Sequence, residues 1–168
     1  VVGDESSLNI VFDRNEIMAR NNGAVSPLYL QQNGGAVYVN GAVVHASDRR
    51  LKTNIEDLNY GLAEILKLQP KAYHWKNRPQ NKKSLGLIAQ DVQRVISEVV
   101  TQQDSESQTL GVNYTELIPV LINATKEQQN VIEQQQKEIE SLKLKLQNFE
   151  TLSSRIEKIE AQLTPTNQ

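Results

Sequence analysis

The C-terminal part of the chain has a heptad pattern without helix-breaking residues, and this pattern constrains the fold most. Neither glycine nor proline occurs between residues 126 and 163. Within this segment one stripe of positions recurs alternately three and four residues apart: Ile132, Gln135, Ile139, Leu142, Leu146 and Phe149. This spacing places a narrow stripe along an α-helix and is typical of a coiled-coil seam. Residues 126–168 are therefore predicted to be a helical coiled-coil segment and tail.

The heptad stripe has one irregularity and one polar position. Leu152 follows the preceding seam residue by only three positions, after which the repeat resumes at Ile156. This slip is either a stammer within a continuous helix or a break at residues 151–154 that starts a second helix. A buried Gln135 would lower stability and fix the register. The alternative to an intermolecular seam is one amphipathic helix on its own domain, but the narrow stripe and polar flanks favour the seam.

Residues 1–46 contain short apolar runs of period two, which predicts half-buried strands. The alternating residues are Ile10 and Phe12, Ile17 and Ala19, Leu28 and Leu30, and Val37, Val39 and Val43. Between them lie Asn22-Gly23, Gly34-Gly35 and Asn40-Gly41, dipeptides that suit the positive φ angles of hairpin turns. Runs this short do not form a stable sheet alone. The segment is either a small β-meander or the end of a β-rich fibre stalk, in which three chains complete one another's sheets.

Residues 47–125 have a mixed α/β pattern. Apolar residues at helical spacing and an alternating stretch predict a helix before Pro70 and a strand after it. Thr115 is predicted to cap the last helix, with Pro119 tolerated in its first turn. In chain order the prediction is a helix at 55–68, a strand at 71–76, a polar loop at 77–83, a helix at 90–99, a polar turn at 101–108, a strand at 110–114 and a helix from 115.

Composition limits the classes of function. The formal net charge of −2 and the pI of about 5.8 argue against a nucleic-acid-binding protein. The chain has no cysteine and only two histidines, so we expect neither a metal site nor a cofactor. No apolar run approaches the roughly 20 residues of a membrane helix. The first residue is valine, and we expect the chain to be part of something longer or a processed product. Low aromatic content, 5%, suggests that burial occurs between copies.

The junction between the first two segments contains Ser47 and Lys52, five residues apart. On an ideal helix this spacing rotates the side chains by about 140°. On a strand it places them on opposite faces, roughly 16 Å apart. The two side chains therefore meet only if the chain turns between them or if they come from different copies. By spacing alone the segment is better explained as a basic linker in which Ser47 caps the next helix.

Five stretches of the sequence resemble one known family, and they occur in the expected order. They are Ser47-Asp-Arg-Arg-Leu-Lys-Thr-Asn-Ile55, Leu66-Lys-Leu-Gln-Pro70, Tyr73-His-Trp75, Gly86-Leu-Ile-Ala-Gln-Asp-Val92 and Val112-Asn-Tyr114. Together with the long C-terminal helix, they resemble the self-cleaving intramolecular chaperone domain of phage endosialidases, tail spikes and tail fibres, which also occurs in the myelin regulatory factor of animals. The resemblance runs from about residue 47 to 163, and its specificity lies in the ordered set.

The resemblance implies an intertwined homotrimer of α+β class. Its parts are a β-rich stalk end at 1–46, a self-cleaving chaperone domain at 47–125 and a coiled-coil trimerisation segment at 126–168. Family members help the preceding stalk of the same polypeptide to fold and then cut the bond before the motif serine, here Ala46–Ser47. The matching dyad is Ser47 and Lys52. The mature part would belong to a phage tail fibre or spike, and the chaperone would be released in the host cytoplasm.

The implied chemistry is attack by Ser47 on the carbonyl carbon of Ala46, followed by hydrolysis. Lys52 must be uncharged to accept the serine proton, and burial beside Arg49 or Arg50 would favour the uncharged amine. Asp48 has an open role, since it could cap the helix, orient a partner or oppose catalysis by pairing with Lys52. Because burial would require the trimer, we expect assembly to switch cleavage on. His45 is an alternative base, and His74 and Trp75 are expected in the core or an interface.

Three other readings remain open from the sequence. The chain could be a structural fibre tip that trimerises and never cuts. It could be a coiled-coil fragment related to the membrane-anchored animal transcription factor, although the acidic charge and the fibre-like first segment argue against this. An enzyme acting on external substrates is disfavoured, because the motif lies next to its own scissile bond.

Overall fold

A computed structural model of the chain describes residues 1–14, 16–31, 36–76, 83–102 and 108–163. The chain is mixed α+β, with small sheets and a long C-terminal helix. It divides into two compact units, the first made of Val1–Thr53 and His74–Ser84 and the second of Asn54–Tyr73 and Leu85–Gln168. The predicted turn at Gly34-Gly35, most of the predicted loop at 77–83 and the middle of the predicted turn at 101–108 lie outside the described residues.

The first unit contains a four-stranded antiparallel sheet in the order β1-β2-β3-β4. Its strands are β1 (Val2–Gly3), β2 (Leu8–Asp13), β3 (Glu16–Asn21) and β4 (Ala24–Val25). Ile10 lies opposite Ala19, and Phe12 lies opposite Ile17. The period-two pattern therefore correctly predicted β2 and β3. The predicted turn at Asn22-Gly23 is present, with φ of 47° and 76°.

The later strands predicted for residues 1–46 are wrong for the single chain. Residues 28–30 and the described residues 36–44 belong to no sheet. Their apolar side chains are exposed, including Tyr38 at 91% and Val44 at 86%. A strand is stabilised by ladder hydrogen bonds and cross-strand side-chain pairs, and none of the described strands pairs with residues 36–44.

The second unit is built from short elements and one long helix. The helices are α1 (Leu62–Ile65), α2 (Ala89–Gln93) and α3 (Leu117–Leu163). Strands β5 (Lys71–Tyr73) and β6 (Ser84–Gly86) form one two-stranded sheet. Ser84, the first residue of β6, is assigned to the first unit. Strands β7 (Val100–Gln102) and β8 (Leu110–Val112) form a second two-stranded sheet. Single 3-10 turns occupy Ser97–Val99 and Tyr114–Glu116.

The core of the second unit lies where α2, β7 and β8 pack against the start of α3. Its buried residues are Val92, Ile96, Val99, Leu117 and Val120. Ala124, one turn further along α3, is also buried. Leu117, Val120 and Ala124 recur at three and four residues, so only one face of the helix packs on the unit. Among the described residues, no helix combines the length and apolar character needed to cross a bilayer.

Three predicted helix boundaries are wrong. The helix predicted at 55–68 has helical geometry only over Leu62–Ile65, and the one predicted at 90–99 is divided between α2 and the turn at Ser97–Val99. Thr115 lies inside the 3-10 turn at Tyr114–Glu116 that leads into α3, and Asn113 caps that turn, because its side-chain oxygen accepts a hydrogen bond from the Thr115 backbone N–H at 3.2 Å. Apolar spacing does not report a cap that stands two residues upstream.

Helix α3 is continuous over 47 residues, a length of about 70 Å. It does not break at 151–154, where the Thr151 hydroxyl donates to the Gln147 carbonyl at 2.9 Å. Pro119 lies in its first turn, as predicted. Beyond Ala124 the apolar side chains of the described part of the helix are exposed, which is unusual for residues so regularly spaced.

Candidate active site

The segment from Ser47 to Lys52 belongs to the first unit and turns sharply. Asp48 is extended, with φ −63° and ψ 136°, and precedes a 3-10 turn at Arg49–Leu51. The Leu51 N–H donates to the Asp48 carbonyl, and the Lys52 N–H donates to the Arg49 carbonyl, both at 3.1 Å. Lys52 is extended again, with φ −120° and ψ 149°. The chain direction therefore reverses over one turn between Ser47 and Lys52.

This turn brings the two predicted dyad residues into contact within one chain. The Lys52 Nζ donates a hydrogen bond to the Ser47 Oγ at 2.8 Å. Of the two arrangements that the spacing allowed, a turn within the chain accounts for the contact. A distance of 2.8 Å is within reach for proton transfer between a hydroxyl and a general base. In the observed bond the amine donates, so transfer from Ser47 requires that Lys52 first lose a proton.

Asp48 has a defined structural place in this turn. Its Oδ1 accepts a hydrogen bond from the Arg50 backbone N–H at 2.8 Å, so Asp48, and not Ser47, is the cap. Its Oδ2 pairs with the Arg50 Nη2 at 2.7 Å. The Arg50 guanidinium, followed by the Arg50 backbone N–H, lowers the pKa of Asp48, and the same carboxylate raises the pKa of Arg50. In this arrangement the Asp48 carboxylate is engaged by Arg50.

Three further candidate residues, His45, Ala46 and Arg49, flank or belong to this turn. All candidate residues of this segment that are named here are exposed in the single chain: His45, Ala46, Ser47, Arg49 and Lys52. The hydrogen bond to the Ser47 hydroxyl comes from Lys52, which leaves His45 without geometric support as the base. His74 and Trp75 are exposed, so the single chain does not place them in its core.

Metal chemistry has no candidate centre in the described part of the chain. Groups of three or more His, Asp or Glu side chains that could hold an ion do not occur there. The groups that the structure brings together at the turn are a hydroxyl, an amine and an ion pair. This set suits nucleophilic attack assisted by a general base.

Sequence reasoning missed the pairing of Asp48 with Arg50. A signal for it exists, because aspartate side chains often accept the backbone N–H two residues ahead and so start a turn. The second unit contains a further unpredicted contact, in which the Leu87 N–H donates to the Tyr114 hydroxyl at 2.7 Å. No spacing rule identifies that contact, because 27 residues separate its partners.

Comparison with known proteins gives one family. Residues 47–101 match the model of a peptidase family described as the chaperone of endosialidase. The match begins at Ser47 and covers about one third of the chain. The resemblance noted for residues 112–163 lies outside the matched range. No curated protein matches the chain. The family predicted from the five stretches is thus confirmed for the segment that contains Ser47 and Lys52: residues 47–101 match the chaperone-of-endosialidase model, whose family is peptidase-related by name.

Proposed function

We propose that this chain ends a phage-type tail fibre or spike and contains an intramolecular chaperone that assembles the preceding stalk as a homotrimer. The chaperone then releases itself by cutting the Ala46–Ser47 bond. The observation that supports this most is the hydrogen bond from Lys52 Nζ to Ser47 Oγ, at the first residue of the family match. The Ser47 hydroxyl is a nucleophile and the Lys52 amine a general base, and cleavage of the bond before the first matched residue needs at least these two groups in contact.

The proposed reaction uses only groups of this chain and one water molecule. Uncharged Lys52 accepts the proton of the Ser47 hydroxyl, and the Ser47 Oγ attacks the carbonyl carbon of Ala46. The C–N bond between Ala46 and Ser47 breaks, and its nitrogen takes a proton to become the amino group of Ser47. Water then hydrolyses the resulting ester, giving the Ala46 carboxylate and restoring the Ser47 hydroxyl. Attack on the adjacent carbonyl gains from orientation rather than from substrate binding.

Trimer formation is supported by the surface of α3. The seam extends back to Ile118 and Leu121 at the start of α3. Positions 118, 121, 125, 128, 132, 135, 139, 142, 146 and 149 are alternately three and four residues apart throughout. The apolar members of this series are exposed, from 45% for Ile139 to 68% for Phe149. They lie on a different face from the buried Leu117 and Val120. A repeat of this kind is covered by identical helices from other copies.

The exposed strands of the first unit support a stalk that depends on other copies. Apolar side chains of one sheet face, including Leu8 and Phe12, are more than half exposed. Residues 36–44 supply further exposed apolar side chains, and no sheet formed by the described residues includes them. Interleaved strands have many wrong registers and pair slowly. A C-terminal coiled coil raises the effective concentration of the three stalks, which is the chaperone role we propose.

Assembly also explains how cleavage is timed in this proposal. Ser47 and Lys52 are exposed in the single chain, and burial of an amine favours its uncharged form. Packing of other copies around the turn would remove water and favour the uncharged base. In this account the trimer completes the site, and the single chain does not cut. The mature fibre part goes to the virion, and the chaperone remains in the host cytoplasm.

The test is a time course on a denaturing gel with the full chain made by cell-free translation. Met18 is the single methionine and Trp75 the single tryptophan, so labelled methionine follows the stalk fragment and indole fluorescence follows the chaperone fragment. We expect the wild type to give two bands, and Ser47→Ala and Lys52→Met to stay whole. Lys67→Met, which changes a lysine of the second unit, is the control and should cut normally. An uncut wild type would favour the non-cleaving fibre tip instead.

A further inference from the structure

The turn between Ser47 and Lys52 contains an ion pair whose geometry has consequences for both residues. One carboxylate oxygen of Asp48 accepts the Arg50 backbone N–H at 2.8 Å and the Arg50 Nε at 3.0 Å. The other accepts the Arg50 Nη2 at 2.7 Å. Both oxygens are therefore occupied by the same arginine. The first bond starts the turn, and the others hold the guanidinium over the carboxylate.

The contact between Ser47 and Lys52 depends on this turn. In an extended chain their side chains would point to opposite faces, roughly 16 Å apart. The observed separation of 2.8 Å requires the 3-10 turn at Arg49–Leu51, which begins at the Asp48 cap. None of the three residues of that turn is buried, so packing does not hold it in place. The Asp48 side chain is thus a principal local restraint on the distance between hydroxyl and amine.

The same carboxylate would harm the reaction if it were free. Asp48 lies four residues before Lys52 and next to Ser47, and a carboxylate beside an amine stabilises the charged amine. The other charged or titratable groups of this segment are His45, Arg49 and Arg50, of which Arg50 contacts Asp48. Adjacent Arg49 has the same charge but is not the partner in this ion pair. It therefore offers a matched control for the loss of one positive charge.

We infer that Asp48 positions Lys52 on Ser47 and that Arg50 prevents the Asp48 carboxylate from pairing with Lys52. This inference rests on the proposed cleavage at Ala46–Ser47. Asp48 and Arg50 are positioning residues in it, since neither contacts the reacting atoms. Two separate roles follow, one in the shape of the turn and one in its charge, and substitutions can separate them.

The first experiment measures the role in shape, by the rate of cleavage of the full chain. Asp48→Ala removes the acceptor that starts the turn, and we expect cleavage to slow roughly 2- to 30-fold, the usual range for loss of a cap. Asp48→Asn keeps an acceptor oxygen and should retain most of the rate. Arg49→Gln is the control for the loss of one positive charge near Lys52, and its rate is the reference against which Arg50→Gln is compared. Equal rates for Asp48→Ala and the wild type would overturn this role.

The second experiment measures the role in charge, by the pH at which cleavage reaches half its maximal rate. Arg50→Gln frees the Asp48 carboxylate, so this midpoint should move up by roughly half a unit or more. The double variant Asp48→Asn/Arg50→Gln has no carboxylate to free, so its midpoint should return to that of Asp48→Asn alone, apart from the displacement that Arg49→Gln shows for the loss of one positive charge. If Arg50 only maintained the shape of the turn, Arg50→Gln would slow cleavage, but adding Asp48→Asn would not bring the pH midpoint back. A midpoint that stays displaced in the double variant would contradict the inference.

Different results would contradict the proposed cleavage and the roles of Asp48 and Arg50. A wild-type chain that is never cut removes the proposed cleavage and this inference with it. If the wild type cuts, Ser47→Ala stays whole, and all four variants at Asp48 and Arg50 match the wild type in rate and midpoint, only the inference is contradicted. Sedimentation of each variant, made together with Ser47→Ala so that the chain stays whole, checks that assembly is unchanged. These residues are outside the buried core, so we expect assembly to match the wild type.

Discussion

Gly86 lies so close to Tyr114 that a β-carbon at residue 86 would approach the tyrosine hydroxyl oxygen to 2.6 Å. That hydroxyl accepts the Leu87 backbone N–H at 2.7 Å. We predict that Gly86→Ala displaces the ring, breaks this hydrogen bond and lowers the free energy of unfolding by about 1–3 kcal/mol. Urea unfolding followed by Trp75 fluorescence and circular dichroism measures the change.

The control for this substitution is Gly41→Ala. A β-carbon at residue 41 meets no atom within 4 Å, so its effect should be close to zero. Adding Tyr114→Phe to Gly86→Ala removes the clashing oxygen and should restore part of the loss, as a double-mutant cycle would show. Equal stability of Gly86→Ala and Gly41→Ala would mean that the close packing at Tyr114 is not present in solution.

Glu127 joins the short helix α1 to the long helix α3. Its Oε2 accepts the Leu62 backbone N–H at 2.8 Å, at the start of α1 where Gly61 has no side chain to do so. We predict that Glu127→Ala costs about 1 kcal/mol of stability, as loss of a helix cap does. Glu133→Ala, on the same helix, loses only a surface contact with Gln129 and should cost a few tenths. Similar losses in both variants would contradict the capping role.

The contact between Tyr60 and Glu98 gives stability a defined pH range. The Tyr60 hydroxyl donates to Glu98 Oε1 at 2.9 Å. The Glu98 backbone N–H and then the Tyr60 hydroxyl lower the pKa of Glu98 below its ordinary 4.5, and Glu98 raises the pKa of Tyr60 above 10.0. The Glu98 contribution is therefore present above pH 4.5 and lost as pH falls through the lowered value. The Tyr60 contribution is present below pH 10.0 and lost as pH rises through the raised value.

This pH range is measured as the stability difference between the wild type and Tyr60→Phe. The difference should be constant between about pH 6 and 9 and decline on both sides. Glu98→Gln removes the charge that produces both shifts, so in that background the decline at low pH should disappear. If the stability difference still declined at low pH in the Glu98→Gln background, another carboxylate would be responsible for the effect.

The proposed trimer predicts unequal effects for two leucines that look alike in one chain. Leu142 belongs to the three-four series, whereas Leu144 lies on the opposite side of the helix, and both are exposed, at 55% and 60%. A single chain would therefore treat serine at either position alike. We predict that Leu142→Ser dissociates the trimer, since burial of leucine in a core is worth about 2–5 kcal/mol per copy.

Sedimentation equilibrium of both variants in the uncut Ser47→Ala background measures this difference. Leu144→Ser should stay trimeric. In chains that retain Ser47, Leu142→Ser should also lose cleavage, because the proposed site is completed by assembly. If Leu142→Ser stays trimeric, the seam is elsewhere, and if it is monomeric yet cuts, assembly is not the switch.

The sequence predicted those parts of the fold that depend on local periodicity. Strands β2 and β3, the turn at Asn22-Gly23 and the long helix followed from spacing and turn chemistry. The failures depend on contacts made at a distance. The helix predicted at 55–68 shrinks to four residues because residues 58 and 60 instead offer their carbonyls to the Asn123 side chain, at 3.3 and 2.8 Å.

For the candidate site, the residues were predictable and their geometry was not. Family resemblance indicated Ser47 and Lys52, but spacing left open whether they meet within one chain. The answer lies in the Asp48–Arg50 pair, whose hydrogen bonds start the turn. The catalytic roles stay predictions, since they depend on the protonation of Lys52 in the assembled state.

The most direct test of the account is the intact mass of the fragments formed from the assembled full chain. The account predicts a C-terminal fragment that begins at Ser47 with an unmodified hydroxyl, and a partner that ends in the Ala46 carboxylate. An assembled wild-type chain that keeps its full mass, or a fragment boundary at any other bond, would contradict it.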